Sequence, residues 1–165
     1  MKKLLILSLS LLSALICSCD LLEIPTKDPE LGEFSGLEYF IDMSQTNKFN
    51  ESSFCKTWVL SSSSQQIYID GSLESTADFD LWMPQCTFRK DHTMTFGDTE
   101  GKWLYSHNYI LLNYSGGYTS YEVVDVKKST LTLREEEYPV GGPFTPFIYD
   151  KSGEHRFFII RYKAK

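Results

Sequence analysis

Eighteen consecutive residues carry most of the side chains in this chain that could do chemistry. The stretch CTFRKDHTMTFGDTEGKW, residues 86–103, contains a cysteine (Cys86), an Asp-His pair (Asp91 and His92) and an acidic turn. Thiolate, imidazole and carboxylate groups bind zinc, which needs three or four such ligands converging on one point. A cysteine beside a histidine is also the arrangement of a nucleophile with its general base. The stretch therefore raises two hypotheses, a metal site and a Cys86–His92 catalytic pair.

The rest of the sequence favours neither hypothesis. Residues 54–165 contain no His-x-His or Cys-x-x-Cys spacing that would supply paired metal ligands, and no Gly-x-Ser-x-Gly elbow. A turn predicted at residues 89–91 would break the strand face shared by Cys86 and His92. The glutamate run at 135–137 is typical of solvated surface. We therefore expect no metal and no cofactor, and predict that the protein is not an enzyme, with catalysis by Cys86 and His92 as the less favoured alternative.

The N-terminus has the pattern of a bacterial lipoprotein signal. Two lysines, at positions 2 and 3, precede an apolar run at 4–16. That run is too short to cross a bilayer of roughly 30 Å as a helix, and it fits the hydrophobic region of a signal peptide. The following Ile-Cys-Ser-Cys resembles the lipobox of lipoprotein signal peptidase substrates, with Cys19 as the lipid acceptor. Residues 1–18 are therefore predicted to be a signal peptide and Cys19 a lipid anchor.

Processing at this position sets the predicted compartment and charge. Removal of residues 1–18 takes away two lysines and no acid, leaving 14 basic and 22 acidic residues and a net charge of −8. Such a surface excludes nucleic acid as a partner, because nucleic acids attract basic patches. We expect the protein in the cell envelope, held by lipid to the outer membrane. The sequence does not distinguish the periplasmic face of that membrane from the cell surface. Residues 19–32, with two prolines and no periodicity, are predicted to be a flexible tether to a domain at 33–165.

Only two cysteines would remain free for other chemistry after lipidation. Cys55 and Cys86 would then lie in an oxidising compartment, where a disulfide can persist. A bridge between them and two free thiols packed as small apolar side chains both fit the sequence.

The domain has the alternation of an antiparallel β-protein. A short helix is predicted at 35–44, and residues 73–84 are predicted to be an irregular loop. From residue 54 onward, seven or eight short strands recur at near-regular spacing with hairpin-length turns, which is typical of a meander. Closure into a barrel would remove the exposed edges of such a sheet.

Several of these segments resemble one known family. They are Lys56-Thr57-Trp58-Val59-Leu60, the spacing from Cys86 to Asp91 before a strand ending at Phe96, Gly101-Lys102-Trp103, and Tyr121 to Val126 leading to Thr130-Leu131-Thr132-Leu133. In this respect residues 54–165 resemble the lipocalin-like lipoproteins of Bacteroidetes. The resemblance implies an all-β fold, an up-and-down barrel of about eight antiparallel strands, here with a short N-terminal helix.

An eight-stranded barrel is either filled by its own side chains or holds one small ligand. Aromatic residues make up 15% of the chain, and ligand cavities are typically apolar and aromatic. We predict a small, partly hydrophobic ligand, with a filled barrel that docks an envelope protein as the alternative. The candidate cavity lining is Trp58, Trp103, Tyr105, Tyr109, Leu111, Tyr121 and Val123. The candidate lid over the barrel, which could equally pack outside it, is Tyr138, Phe144 and Phe147.

Overall fold

The computed structural model describes residues 31–34, 37, 40–45, 49–80, 84–115, 117–138 and 145–165. The predicted signal peptide, Cys19 and nearly all of the predicted tether lie outside the described residues. Within the described ranges, no helix has the length and apolar character needed to cross a membrane.

Nine strands account for most of the described chain. Their bounds are β1 (Thr57–Ile69), β2 (Ser72–Asp78), β3 (Gln85–Phe88), β4 (Thr93–Phe96), β5 (Thr99–Ser106), β6 (Tyr109–Tyr114), β7 (Gly117–Val126), β8 (Thr130–Glu136) and β9 (Glu154–Ala164). One α-helical turn, α1 (Glu51–Phe54), precedes β1.

The sheet closes because β1 uses both of its edges. One edge pairs with β9 from Trp58 opposite Ala164 to Ile69 opposite Glu154. The other edge pairs with β3 near its start and with β2 near its end. All other neighbours pair antiparallel in sequence order. The structure thus confirms the predicted closed antiparallel barrel of eight strands, β1 and β3 to β9, to which β2 is added as a hairpin partner of β1.

Two tight turns set which residues face inward. Asp70-Gly71 and His107-Asn108 connect their strands as two-residue loops, and all four residues have positive φ, as type I′ hairpin turns require. The second turn pairs Ser106 with Tyr109, so paired residues on β5 and β6 differ in parity. Odd-numbered residues therefore point inward on β5 and even-numbered residues on β6.

One segment differs from the sequence prediction. The serine run at 61–64 lies inside β1, which continues through it as one strand. The prediction of an irregular loop at 73–84 is wrong for its first part, because Ser72–Asp78 forms β2. All seven residues of β2 are exposed, so the strand lacks the apolar alternation by which strands are recognised. Its backbone hydrogen bonds to β1 hold it in place.

One end of the barrel is closed by α1 and the residues around it. Phe54 is fully buried, and its carbonyl oxygen accepts a 2.8 Å hydrogen bond from the indole nitrogen of Trp58. The indole nitrogen of Trp103 donates to the Arg89 carbonyl oxygen at 2.9 Å. The ring of Phe49 stacks on that of Tyr105, with centroids 3.9 Å apart. Both buried indoles thus have acceptors at this closed end, as buried polar groups require.

The N-terminal segment packs on the outside of the barrel. We call its described residues, 31–34, 37 and 40–45, the strap. Its apolar side chains form a cluster with the outward side chains of β5 and β6; the members are Leu31, Phe34, Leu37, Phe40, Ile41, Leu104, Tyr109 and Leu111. The strap contains a 3-10 turn at Gly32–Phe34. Residues 35, 36, 38 and 39 of the predicted helix are not among the described residues.

The strap also runs in a defined direction. Near its start, Glu33 forms an ion pair with Lys102 at 3.0 Å. Glu33 also accepts a hydrogen bond from the side-chain amide of Asn113, which lies next to the last residue of β6. Further along, Asp42 lies against Tyr109, the first residue of β6. Leu31, two residues before the predicted boundary at 33, is buried in this packing.

The strap buries the outward side chain of Leu111 on β6, so that this residue is part of a hydrophobic core. Leu111→Ala should lower the free energy of unfolding by about 2–5 kcal/mol, the usual cost of truncating a fully buried leucine, measured by urea unfolding. Val124→Ala, at an outward position of β7 that is 52% exposed, should change it by less than about 0.5 kcal/mol. Equal small effects of the two substitutions would contradict the covering role of the strap.

Candidate functional site

The interior of the barrel has two halves of different character. In the half next to α1, large side chains are almost completely excluded from solvent. These are Phe54, Trp58, Cys86, Phe88, Met94, Trp103, Ile110, Leu112, Leu131 and Leu133. Side chains at this density leave no room for a ligand. This closed half is therefore a packed core.

The other half of the interior is partly open to solvent. Its inward-facing side chains are partly exposed although they point into the barrel; they are Gln65, Phe96, Tyr114, Thr119, Glu135 and Phe158. Phe79, whose ring is 4.6 Å from that of Phe158, adjoins them where β2 ends. We call these seven residues the barrel mouth. Partial exposure of inward-facing residues means that small molecules can reach this half from outside.

A carboxyl group lies inside the barrel mouth. Glu135 follows Leu131 and Leu133 on the inward face of β8 and pairs across the sheet with Phe158. Its carboxylate accepts a 2.7 Å hydrogen bond from the Thr119 hydroxyl and another from the Tyr121 hydroxyl. Burial raises the pKa of Glu135 above its ordinary value, although both hydrogen bonds oppose this change. Among the described residues, no cation forms an ion pair with it.

The sequence prediction missed Glu135. It was assigned to a solvated run together with Glu136 and Glu137, whereas all three side chains are only partly exposed. The alternation of β8 held the relevant signal, because Leu131, Leu133 and Glu135 share one face of a strand.

Cys86 and His92 do not form a catalytic pair. Cys86 pairs with Phe96 at one end of β4, and His92 precedes Thr93 at the other end, roughly 10 Å away along the strand. The His92 ring stacks on Trp103, with Nδ1 3.3 Å from the Trp103 carbonyl oxygen. Burial raises the pKa of Cys86 to about 12, so its thiol is protonated at neutral pH and is a poor nucleophile.

The two remaining cysteines are free thiols in this structure, so the disulfide considered for them is not formed. Cys86 points into the closed half, beside the Tyr162 hydroxyl. Cys55 caps the C-terminal end of α1, with its sulfur 3.8 Å from the Glu51 carboxylate. Burial, and to a smaller extent the charge of Glu51, raise the pKa of Cys55 to about 11. In the described part of the chain, no three His, Cys, Asp or Glu residues are grouped as a metal site would require.

Most of the predicted cavity lining faces the interior. Trp58, Trp103, Tyr121 and Val123 belong to the interior cluster, and Tyr105 packs against it. The two predictions on β6 are wrong, because Tyr109 and Leu111 belong to the cluster under the strap. The two-residue turn at 107–108 reverses the parity of inward residues, and the sequence prediction had kept odd numbers inward on both strands.

The predicted lid lies outside the barrel wall as far as it is described. The Tyr138 ring is 4.9 Å from Phe40 of the strap. The Phe147 ring contacts Phe157 at 5.3 Å and Tyr68 at 5.6 Å, both on outward positions. Phe144 is outside the described residues. Tyr138 and Phe147 therefore pack on the outer wall, which is the second of the two arrangements that the sequence allowed.

A small recess lies on this outer wall, between the strap and residues 145–148. Water can occupy about 30 Å³ of it, which is room for roughly one to three molecules. Its charged groups bind one another, since Arg134 Nε donates to Glu122 at 2.6 Å. The recess is lined by Phe40, Tyr109, Ser120, Glu122, Arg134, Glu136, Tyr138, Phe147, Ile148 and Phe157. It is too small for an organic ligand.

Glu136 connects the outer segment to the barrel. Its carboxylate accepts the Phe147 backbone N–H at 3.0 and 3.1 Å and lies 2.8 Å from His155 Nδ1. Burial raises the pKa of Glu136, against the opposing effect of the His155 hydrogen bond. Adjacent residues of β8 thus serve different sites, with Glu135 inside the barrel and Glu136 outside it.

Comparison with known proteins adds little to this description. No family model matches the sequence, and no curated protein matches it either. Among solved structures, a lipocalin-like protein from Bacteroides uniformis is similar at 15% identity and a TM-score of 0.28, over 64% of this chain and 96% of that chain. The barrel architecture is established by the strand pairing itself.

Glu136 should stabilise the outer segment measurably. Glu136→Gln should lower the free energy of unfolding by about 1–3 kcal/mol, because it weakens buried hydrogen bonds to a charged acceptor. It should also speed proteolysis within residues 145–150. The control is Glu154→Gln, whose ion pair with Arg156 is about half exposed and should contribute less than about 1 kcal/mol. If both variants behave alike, Glu136 does not hold the segment.

Proposed function

We propose that this protein is a lipid-anchored envelope lipoprotein that binds a small, partly hydrophobic ligand non-covalently in the barrel mouth. The observation that carries the proposal is the contrast between the two halves of the interior. The closed half is filled by its own side chains, whereas the inward-facing residues of the mouth are partly exposed.

The side chains of the mouth support the proposed ligand binding. Its rings, including Phe79 and Phe158 in contact at 4.6 Å, offer apolar walls. Thr119 and Glu135, bonded at 2.7 Å, offer polar groups at one point. Small-molecule sites typically combine apolar lining with a few placed polar groups that fix orientation.

Non-covalent binding fits these groups better than catalysis does. The interior thiol of Cys86 is buried and protonated. His92 lies at the other end of β4, where its ring nitrogen contacts the Trp103 carbonyl oxygen. Neither the mouth nor the closed half brings a nucleophile and a base together among the described residues.

One observation supports the alternative of a protein partner. β2 pairs only with β1 in the described sheet, so its outer edge is unpaired, and all its residues are exposed. Such an edge can accept a strand from another protein. The two functions differ in the site that mutations should affect, which is the mouth for a ligand and β2 for a partner.

Filling the mouth should abolish ligand binding. We expect Thr119→Trp to block the mouth, and Tyr118→Trp to leave it open, since Tyr118 is the neighbouring outward residue and is 56% exposed. The probe is 2-phenylethanol, with its affinity measured by ligand-observed NMR on the full chain in nonionic detergent against a detergent blank. The proposal predicts at least a tenfold loss for Thr119→Trp alone, with thermal unfolding confirming that both variants are folded. Unchanged binding by Thr119→Trp would place the site elsewhere.

Cys19 should be the residue that attaches the protein to the membrane. Cys19→Ala should move the protein from the membrane to the soluble fraction and abolish incorporation of labelled fatty acid, because the acceptor thiol is lost. Cys17→Ala should change neither result, since residue 17 would be removed with the signal peptide. Membrane retention of a processed Cys19→Ala protein would refute the lipid anchor.

A further inference from the structure

The barrel mouth contains a charge that the described protein leaves uncompensated, and this points to the class of ligand. Resting on the function proposed above, we propose that the mouth selects ligands that carry a protonated amine on an apolar body, with Glu135 as the group that binds the amine. This choice follows from three features of the mouth: the position of Glu135, the absence of a competing cation and the rings around it.

Glu135 has a free side that faces the mouth. A carboxylate has about four hydrogen-bond-accepting positions, and Thr119 and Tyr121 occupy two of them. The residue lies between Tyr121 of β7 and Phe158 of β9 and is itself partly exposed. The remaining acceptor positions can therefore receive donors from a molecule entering the mouth.

The nearest cations of the barrel are committed elsewhere. Arg134 is adjacent on β8 but points outward, where it binds Glu122 at 2.6 Å. Arg156 lies at the rim of the mouth with its Nε on Glu154 at 2.6 Å. No ion pair joins either of them to Glu135 in the described chain. A carboxylate that is largely removed from water without a cation is costly, and a cationic ligand would offset that cost.

Two partly exposed aromatic rings lie near the same carboxylate. Tyr114 of β6 is close enough for the charge of Glu135 to raise its pKa further, after the larger effect of burial, and Phe158 pairs with Glu135 across the sheet. The same charge raises the pKa values of Tyr121 and Tyr162, but these two side chains are buried. The faces of accessible rings attract an ammonium group. At the rim, Gln65 donates to Glu137 at 3.1 Å, and the charge of Glu137 acts on the Arg156 guanidinium. Glu135 is therefore the carboxylate that would repel an anionic ligand.

The test compares three probes of nearly equal shape on the full chain. They are 2-phenylethylamine, 2-phenylethanol and phenylacetate, titrated at neutral pH by ligand-observed NMR. We expect the amine to bind at least tenfold more tightly than the alcohol, and phenylacetate to bind most weakly. Glu135→Gln should reduce the amine to the affinity of the alcohol while changing the alcohol less than threefold. The matched control is Glu137→Gln at the rim, where solvent screens the charge, and it should keep most of the preference.

The pH dependence supplies an independent readout. Because the pKa of Glu135 is raised in the folded protein, acidification through the window above its ordinary value should remove the amine preference in the wild type. Glu135→Gln should show no such change. The same sign holds for stability, since ionising Glu135 in that window favours the unfolded state. Glu135→Gln should therefore be at least as stable as the wild type at neutral pH, which separates lost recognition from lost folding.

The outcomes distinguish this inference from the function on which it rests. If the alcohol binds but the amine binds no more tightly, or if Glu135→Gln keeps the preference, the inference is wrong and the ligand-binding function stands. If none of the three probes binds the wild type, both are overturned.

Discussion

The ladder between β1 and β9 is the contact on which the rest of the structure depends. About half of the chain lies between these strands, and the eleven residue pairs that join them convert an open meander into a closed wall. Only closure gives every strand an inner and an outer face, and thereby separates the core from the surface. Closure also removes two sheet edges that would otherwise be exposed. The packed half, the open half and the clusters on the outer wall all exist because this ladder forms.

Strand β8 shows how closely two roles can be placed on one closed wall. Successive side chains of a strand point to opposite faces, so Arg134 and Glu136 serve the outer wall while Glu135 faces the interior. The outer pair is satisfied by protein groups, which is what a structural site needs. The inner carboxylate is satisfied only in part, at a cost in stability, which is the pattern expected where stability has been exchanged for binding.

Part of this organisation could be predicted from the sequence, and the remainder depended on tertiary contacts. The apolar alternation of β7 and β8 and the apolar run of β6 marked them as strands, and their short turns indicated an antiparallel closed sheet. β2 was not predicted because its side chains are polar on both faces, so that only its bonds to β1 define it. The inward face of β6 was misassigned because parity depends on the length of the turn at 107–108. Glu135 was hidden by its charged neighbours, since local composition suggests solvent and only the register places it inside.

The direction of the strap has a consequence for how the barrel would stand on a membrane. The chain enters the described domain beside Lys102 and Asn113, at the end of β6 where the mouth opens, and only then runs toward the closed end. Eleven residues lie between Cys19 and Leu31, a span of at most about 43 Å when fully extended. A lipid on Cys19 would thus attach the barrel by its rim and not by its closed end. The length of this short segment would then set how far the open mouth can lie from the lipid surface.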